Sequence, residues 1–208
     1  LAVKQEHELV ISKDDTVTRS LVYGYIGRII RDKGVEDLLR AFVEMYIPGM
    51  KLMLVGNGDE EYIARLKRFA KANGVGEHVV FVPAVPLEDI PVYLNSMDVM
   101  LLLSHTTPEW KEQFGRVLVE AMAAGTVVIG SNSGAIPSVI KNAGVIVEEG
   151  NHKSIEKAMR IVYKDRSLQK NLRAIGSQRV RKEFSYQSIA RKTVEFLDQV
   201  LDVDNEIE

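Results

Sequence analysis

The sequence predicts an α/β protein: one doubly wound, mostly parallel sheet followed by a C-terminal run of helices. Two patterns carry that expectation. Six strand-length apolar segments alternate with segments of helical period, and the six read as continuous hydrophobic runs without in/out alternation. Such runs mark strands covered on both faces. After Gly150 no further strand-length run occurs, and three charged helical stretches close the chain.

In order, residues 1–20 are a polar lead-in, with one short strand expected near Leu9–Ile11. Leu21–Ile26 is the first strand and runs into Gly27-Arg28. Val35, Leu38, Leu39, Phe42, Val43 and Met45 then recur at helical spacing. Lys51–Val55 is the second strand, closed by Gly56-Asn57-Gly58. A helix over Glu60–Ala72 turns Ile63, Leu66 and Phe69 inward and stops at Gly74. Val79–Val82 is the third strand, a short helix covers Leu87–Leu94, and Val99–Leu103 is the fourth strand. A central helix follows Phe114-Gly115, Thr126–Gly130 is the fifth strand, a short helix spans Pro137–Lys141, and Gly144–Val147 is the sixth strand. Helices are expected at His152–Lys164, Ser167–Glu183 and Tyr186–Val200, leaving a charged tail at 202–208 and a single domain over 21–201.

Composition narrows the classes. With 208 residues, 46% of them hydrophobic, the chain has material for one well-buried core. A net charge of -2 gives no general attraction to nucleic acid. The lack of cysteine excludes disulfides and thiol catalysis, and no apolar run reaches membrane-spanning length. The four histidines have no zinc-like spacing, and Asp202-Val203-Asp204, which has the carboxylate spacing of some metal sites, reads as a solvated end. Gly56-Asn57-Gly58 lacks the third glycine of a dinucleotide fingerprint, and Asp59-Glu60-Glu61 would repel a pyrophosphate there. These glycines are read as a tight turn with close ligand approach.

In a doubly wound sheet, ligands bind beyond the carboxyl ends of the strands, so the turns there hold the candidate site. Arg28, Arg31 and Lys33 precede a helix start that ordinarily favours negative side chains. They read either as cations flanking a bound diphosphate or as a basic turn paired with Asp32 and Glu36. Ser131 to Pro137 reads as a ligand loop or as an N-cap turn with Ser133 capping. The stretch Thr107–Gly125 is the most informative. Glu112 and Glu120 have seven residues between them, and Glu120 is the single charge from Val117 to Val128. A carboxylate in so apolar a segment needs donors, supplied by backbone, an Arg, or the vicinal hydroxyls of a ribose. Phe114, Gly115 and Arg116 offer helix-start N–H groups to an anion. Trp110 either walls a sugar or anchors the loop.

With these residues laid out, residues 21–201 resemble the C-terminal, donor-binding, Rossmann-like domain of the retaining group 1 glycosyltransferases of GT-B fold. E-x7-E with its internal Phe-Gly and following EAMA-x-G, Gly27-Arg28 with Lys33-Gly34, Val55-Gly56-x-Gly58 and the Ser-x-x-Gly-Ala-Ile-Pro loop carry the likeness. The resemblance implies that Arg28 and Lys33, near Gly27, hold the diphosphate of a nucleotide sugar. It places Glu120 on the ribose hydroxyls and Pro83, Ala84 and Val85 against the base. Glu112 falls on the transferred sugar, aided by the amides of Phe114, Gly115, Arg116 and Val117. Gly56, Asn57 and Gly58 join the substrate-binding set. It implies transfer with retention, no cofactor, no required metal and a cytoplasmic setting, with a membrane-linked acceptor left open. Four positions depart from the family pattern: Pro83 for glycine, Arg116 for an aliphatic residue, Thr126 for proline and Ser138 for glutamate.

Such enzymes pair this domain with an N-terminal acceptor-binding domain, and two such domains do not fit in 208 residues beginning at Leu1. The chain is therefore expected to be the C-terminal half of a longer enzyme, its last helix resembling the one that crosses back to the other domain. The alternatives are a non-catalytic nucleotide-sugar module working with a partner subunit, or a nucleotide-sugar epimerase of the same architecture. Base, sugar and acceptor stay open.

Overall fold

A computed structural model of the chain describes the backbone of residues 21–205 and the side chains of residues 21–201. The strand expected at Leu9–Ile11 and the Asp202/Asp204 side chains lie outside the described residues.

Six strands form one sheet: β1 Val22–Ile26, β2 Lys51–Val55, β3 Val79–Val82, β4 Val99–Leu102, β5 Val127–Ser131 and β6 Gly144–Val147. Their order is β3-β2-β1-β4-β5-β6, and every neighbouring pair is parallel. β1, β4 and β5 are buried along their whole length, as their unbroken apolar runs require. The order reverses between β1 and β4, so the crevice at their carboxyl ends is the topological switch point.

Helices cover both faces. After β1 comes a 3-10 turn at Arg31–Lys33, then α1 at Val35–Met45, which buries Val35, Leu38, Leu39, Ala41, Phe42 and Met45. The next is α2 at Glu60–Ala72. Asp59 caps it, its Oδ1 accepting the Tyr62 N–H at 2.6 Å, with Glu60 and Glu61 in the first turn. The acidic run after Gly58 is thus a helix start written in its usual residues. The short helix α3 covers Ile90–Ser96, behind a 3-10 turn at Leu87–Asp89. It is followed by α4 at Arg116–Ala123, α5 at Ile136–Ile140 and α6 at His152–Lys164. Thr126, standing where the family often has proline, donates its hydroxyl to Leu94 O at 2.8 Å and so ties β5 to the end of α3.

The helix expected over Ser167–Glu183 is not continuous. α7 spans Arg166–Arg179 and passes into a π turn at Val180–Phe184 before α8 at Tyr186–Asn205. Two interactions mark this segment, one long-range and one local. Arg179 donates to the carbonyls of Val139 and Ser138 at 2.7 and 2.9 Å, while Ser185 Oγ accepts the Ser188 N–H at 3.2 Å and so starts α8 afresh. Beyond Ser188, α8 leaves large side chains exposed, among them Phe196 at 62% and Leu201 at 60%. Among the described residues no helix is long and apolar enough to cross a membrane.

Candidate functional site

The turns after β1, β2 and β3 are stitched into one rim. Gly27 donates to Val55 O at 3.0 Å, Ile29 to Asn57 O at 2.9 Å and Gly56 to Val82 O at 2.9 Å. The Asn57 side chain accepts the Ala84 N–H at 3.0 Å, fixing the Pro83–Val85 turn. A Cβ on Gly56 would lie 1.9 Å from Gly27 O, and one on Gly58 would lie 1.9 Å from Ile29 O. Close approach there is by neighbouring backbone.

At the switch point, the 3-10 turn carries Lys33 across to the loop after β4. Lys33 Nζ lies 2.8 Å from Glu112 Oε2, with each side chain only 13% exposed, and Ser104 Oγ donates to the same oxygen at 3.1 Å. Burial alone would raise the Glu112 pKa. The Lys33 hydrogen bond and charge, Ser104 and the Gly115 amide outweigh that and hold it below the ordinary carboxylate value. The basic turn is not paired with Asp32 and Glu36, since Glu36 binds Arg40 and Arg65 instead. Lys33 Nζ also lies 4.0 Å from the centre of the Trp110 ring. Trp110 is held in turn by Thr107, whose N–H donates to Trp110 O at 2.7 Å and whose Oγ1 accepts the Trp110 N–H at 3.0 Å.

The backbone of Glu112 rests on the loop after β5. Its carbonyl accepts the Ala135 N–H at 2.8 Å, and Gly134, at φ 52°, passes so close that a Cβ would lie 2.1 Å from that oxygen. Ser133 does not cap α5: its Oγ faces Thr106 Oγ1 at 3.0 Å, and the helix begins at Ala135 with no side-chain cap. This small-residue loop is a cradle for Glu112.

A cavity of ≈ 230 Å³ at the switch point brings together seven of the residues singled out in the sequence: Gly27, Arg28, Lys33, Glu112, Gly115, Arg116 and Val117. Tyr25 also lines it, and its hydroxyl donates to Arg28 O at 2.7 Å. Burial first, then the Glu112 charge, pushes that phenol far above its usual range. Among the described residues the exposed Arg28 guanidinium has no hydrogen bond or ion pair. Gly56, Asn57, Gly58, Pro83, Ala84, Val85, Phe114 and Glu120 do not line the cavity. Glu120 is not buried; it is 34% exposed and pairs with Arg116 at 3.0 Å, so of the donors considered for it an Arg is the one present. Phe114 is 43% exposed and meets Phe184 edge-on, ring centres 5.7 Å apart. Sequence reasoning left out Tyr25, Ser104 and the pairing of His105 with Asp37 at 2.6 Å. Each was open to notice from its place, at the carboxyl end of β1 or directly after β4. Among the described residues no cluster of three or more His, Asp or Glu is arranged to hold a metal.

Comparison with known proteins bears on the family and the fold. A family model described as glycosyl transferases group 1 matches residues 10–179. The capsular polysaccharide biosynthesis glycosyltransferase CapM of Staphylococcus aureus is 32% identical over 174 residues, covering 82% of this chain and 44% of that protein. The chain thus spans less than half the length of that relative. Among solved structures, the C-terminal domain of the group 1 family protein LpcC of Francisella tularensis has a TM-score of 0.73 at 23% identity, covering 80% of this chain and 87% of that one. HepE of Anabaena, solved with UDP-glucose, has a TM-score of 0.74 at 24% identity, covering 94% of this chain and 52% of that one. At these identities the two structures speak for the fold.

Proposed function

The chain belongs to the group 1 glycosyl transferases, and on that premise we propose that it is the donor-binding domain of a retaining enzyme that transfers a sugar from a nucleoside-diphosphate sugar. The observation that carries this reading is the cavity at the switch point, where Arg28 and Lys33 face Glu112 and the first turn of α4. Cations and helix-start amides suit a diphosphate; a carboxylate beside them suits sugar hydroxyls. HepE, solved with UDP-glucose, adds support from a like fold.

In this reading the diphosphate enters between Arg28 and the α4 amides and takes Lys33 from Glu112. Glu112 then accepts from hydroxyls of the transferred sugar, and Glu120 accepts from the ribose. The Pro83–Val85 turn, fixed by Asn57, lies toward the base. As the bond from the anomeric carbon to the phosphate oxygen breaks, charge grows on the departing diphosphate. Arg28, Lys33 and the amides stabilise it, each charge-assisted hydrogen bond contributing about 1.5–3 kcal/mol. The acceptor oxygen bonds to the anomeric carbon on the face the phosphate leaves, and its proton passes to the departing phosphate. Two cations and the α4 amides balance the diphosphate, so this scheme calls on no metal. The acceptor is bound by a second, N-terminal domain.

Calorimetric titration with UDP, GDP and ADP, then their sugars, tests the donor site. The expected result is saturable binding of one nucleotide, weakened by Arg28→Ala and by Glu120→Ala. A folded sample that binds none of them, or binds them equally well after both substitutions, refutes it.

A further inference from the structure

We propose that His105 and Asp37 form a positioning pair that fixes the turn carrying Lys33, so that the placement of this cation responds to the ionisation of an imidazole. The effect on nucleotide affinity rests on the donor-site reading; the effect on Lys33 itself does not.

Three fastenings hold residues 31–37 against residues 103–105. Gly34 packs so closely on Leu103 that a Cβ would lie 2.0 Å from its carbonyl oxygen. The His105 N–H donates to Asp32 O at 2.8 Å. The His105 ring closes the arrangement, Nε2 lying 2.6 Å from Asp37 Oδ2 in the first turn of α1. The first two are backbone contacts that do not titrate; the third does. Lys33 lies between Asp32 and Gly34, so its position over Trp110 and Glu112 depends on how firmly this turn is held.

The charged groups facing the ring are all acidic: Asp37 on α1, Asp32 in the 3-10 turn and Glu149 in the turn after β6. The Asp37 hydrogen bond, opposed by partial burial and helped by the charges of Asp37, Glu149 and Asp32, raises the His105 pKa above 6.5. The sign follows from linkage. A raised folded-state pKa means the pair is fully engaged below the ordinary histidine value and is lost as pH rises through the folded value. Deprotonation both slackens the turn and removes a positive charge close to Lys33.

Trp110, the one tryptophan in the chain, lies against Lys33 and reports on it with no ligand added. The experiment is a fluorescence titration of the full chain between about pH 5.5 and 9, with proton NMR of the histidine rings, and UDP affinity measured at both ends of the interval. His105→Gln keeps a hydrogen-bonding side chain that does not titrate. The expected result is a Trp110 transition that follows the His105 ring, has its midpoint above 6.5, moves down in Asp37→Asn and vanishes in His105→Gln. UDP affinity should fall about fivefold or more across the transition in the natural sequence and stay flat in His105→Gln. A Trp110 transition that persists in His105→Gln, or whose midpoint is unmoved in Asp37→Asn, overturns the pair. UDP affinity that is equal at both ends despite the transition overturns its role in binding. The expected transition with no nucleotide bound at any pH supports the pair and counts against the donor site instead.

Discussion

The ion pair between Lys33 and Glu112 makes a quantitative prediction. Replacing Lys33 with Met leaves a carboxylate with Ser104 and the Gly115 amide but no counter-ion, at a site where both side chains are 13% exposed. A charge-assisted bond of this length contributes about 1.5–3 kcal/mol, and stranding its buried partner pushes the cost toward about 3 kcal/mol. Replacing Glu112 with Gln is milder. Gln still bonds to Ser104, and the ammonium keeps the face of Trp110 4.0 Å away, so the loss should be about 1–2 kcal/mol. The double variant Lys33→Met/Glu112→Gln should then cost less than the sum by about 1–3 kcal/mol. Urea denaturation of the four proteins near pH 7 reads these differences directly. Additivity within about 0.5 kcal/mol would mean that the pair contributes nothing in solution and that the reasoning is wrong. The same competition predicts opposite effects on ligands. Glu112→Gln frees Lys33 and should tighten binding of the bare nucleoside diphosphate, while weakening preference for its sugar.

Three other outcomes follow from geometry. Gly134→Ala combines a left-handed backbone with a Cβ 2.1 Å from Glu112 O and should destabilise the chain by about 2–4 kcal/mol in denaturant, with loss of nucleotide binding. Lys141, at φ 48°, is the single non-glycine residue with positive φ among the described residues, so Lys141→Gly should stabilise by about 1 kcal/mol, seen as a rise of roughly 2–4 °C in Tm. Glu112 has a lowered pKa, so its contribution is present above the ordinary value of 4.5 and is lost as pH falls through its folded value. Thermal melts from about pH 6 down to 3 should therefore decline more steeply for the natural chain than for Glu112→Gln.

The strands were legible because each is a continuous apolar run closed by a turn residue, as Lys51–Val55 is by Gly56. Local composition decides such elements, and the parallel order follows from their alternation with helices. The division into two helices, with the second starting at Tyr186, was legible; the π turn at Val180–Phe184 was not, because it lies where Arg179 reaches the carbonyls of Ser138 and Val139, forty or so positions back. The site divides the same way. Residue types and loop positions were visible, but the pairing of Lys33 with Glu112, 79 positions apart, was not. Nor was the reason for Gly56 and Gly58, since a glycine that admits a ligand and one that admits a neighbouring strand end look alike in sequence. Ser133 illustrates the converse: its chemistry fits a cap, and the fold places it against Thr106 instead.

The strand order also shapes how the chain comes to be folded. No two adjacent strands are joined by a hairpin, so every ladder waits for a crossover to close. β1 can pair with β2 early, but its other edge is completed only when β4 arrives, and the Val22 N–H meets the Asp98 carboxylate across 76 residues. At about 5–20 residues per second on a ribosome, that edge stays open for roughly 4–15 s. During that interval Val22–Ile26, an apolar strand with no charge in it, is a template for any other extended chain. The residues that make the centre of this sheet dry in the finished molecule are the ones most exposed to misassembly while it is being made.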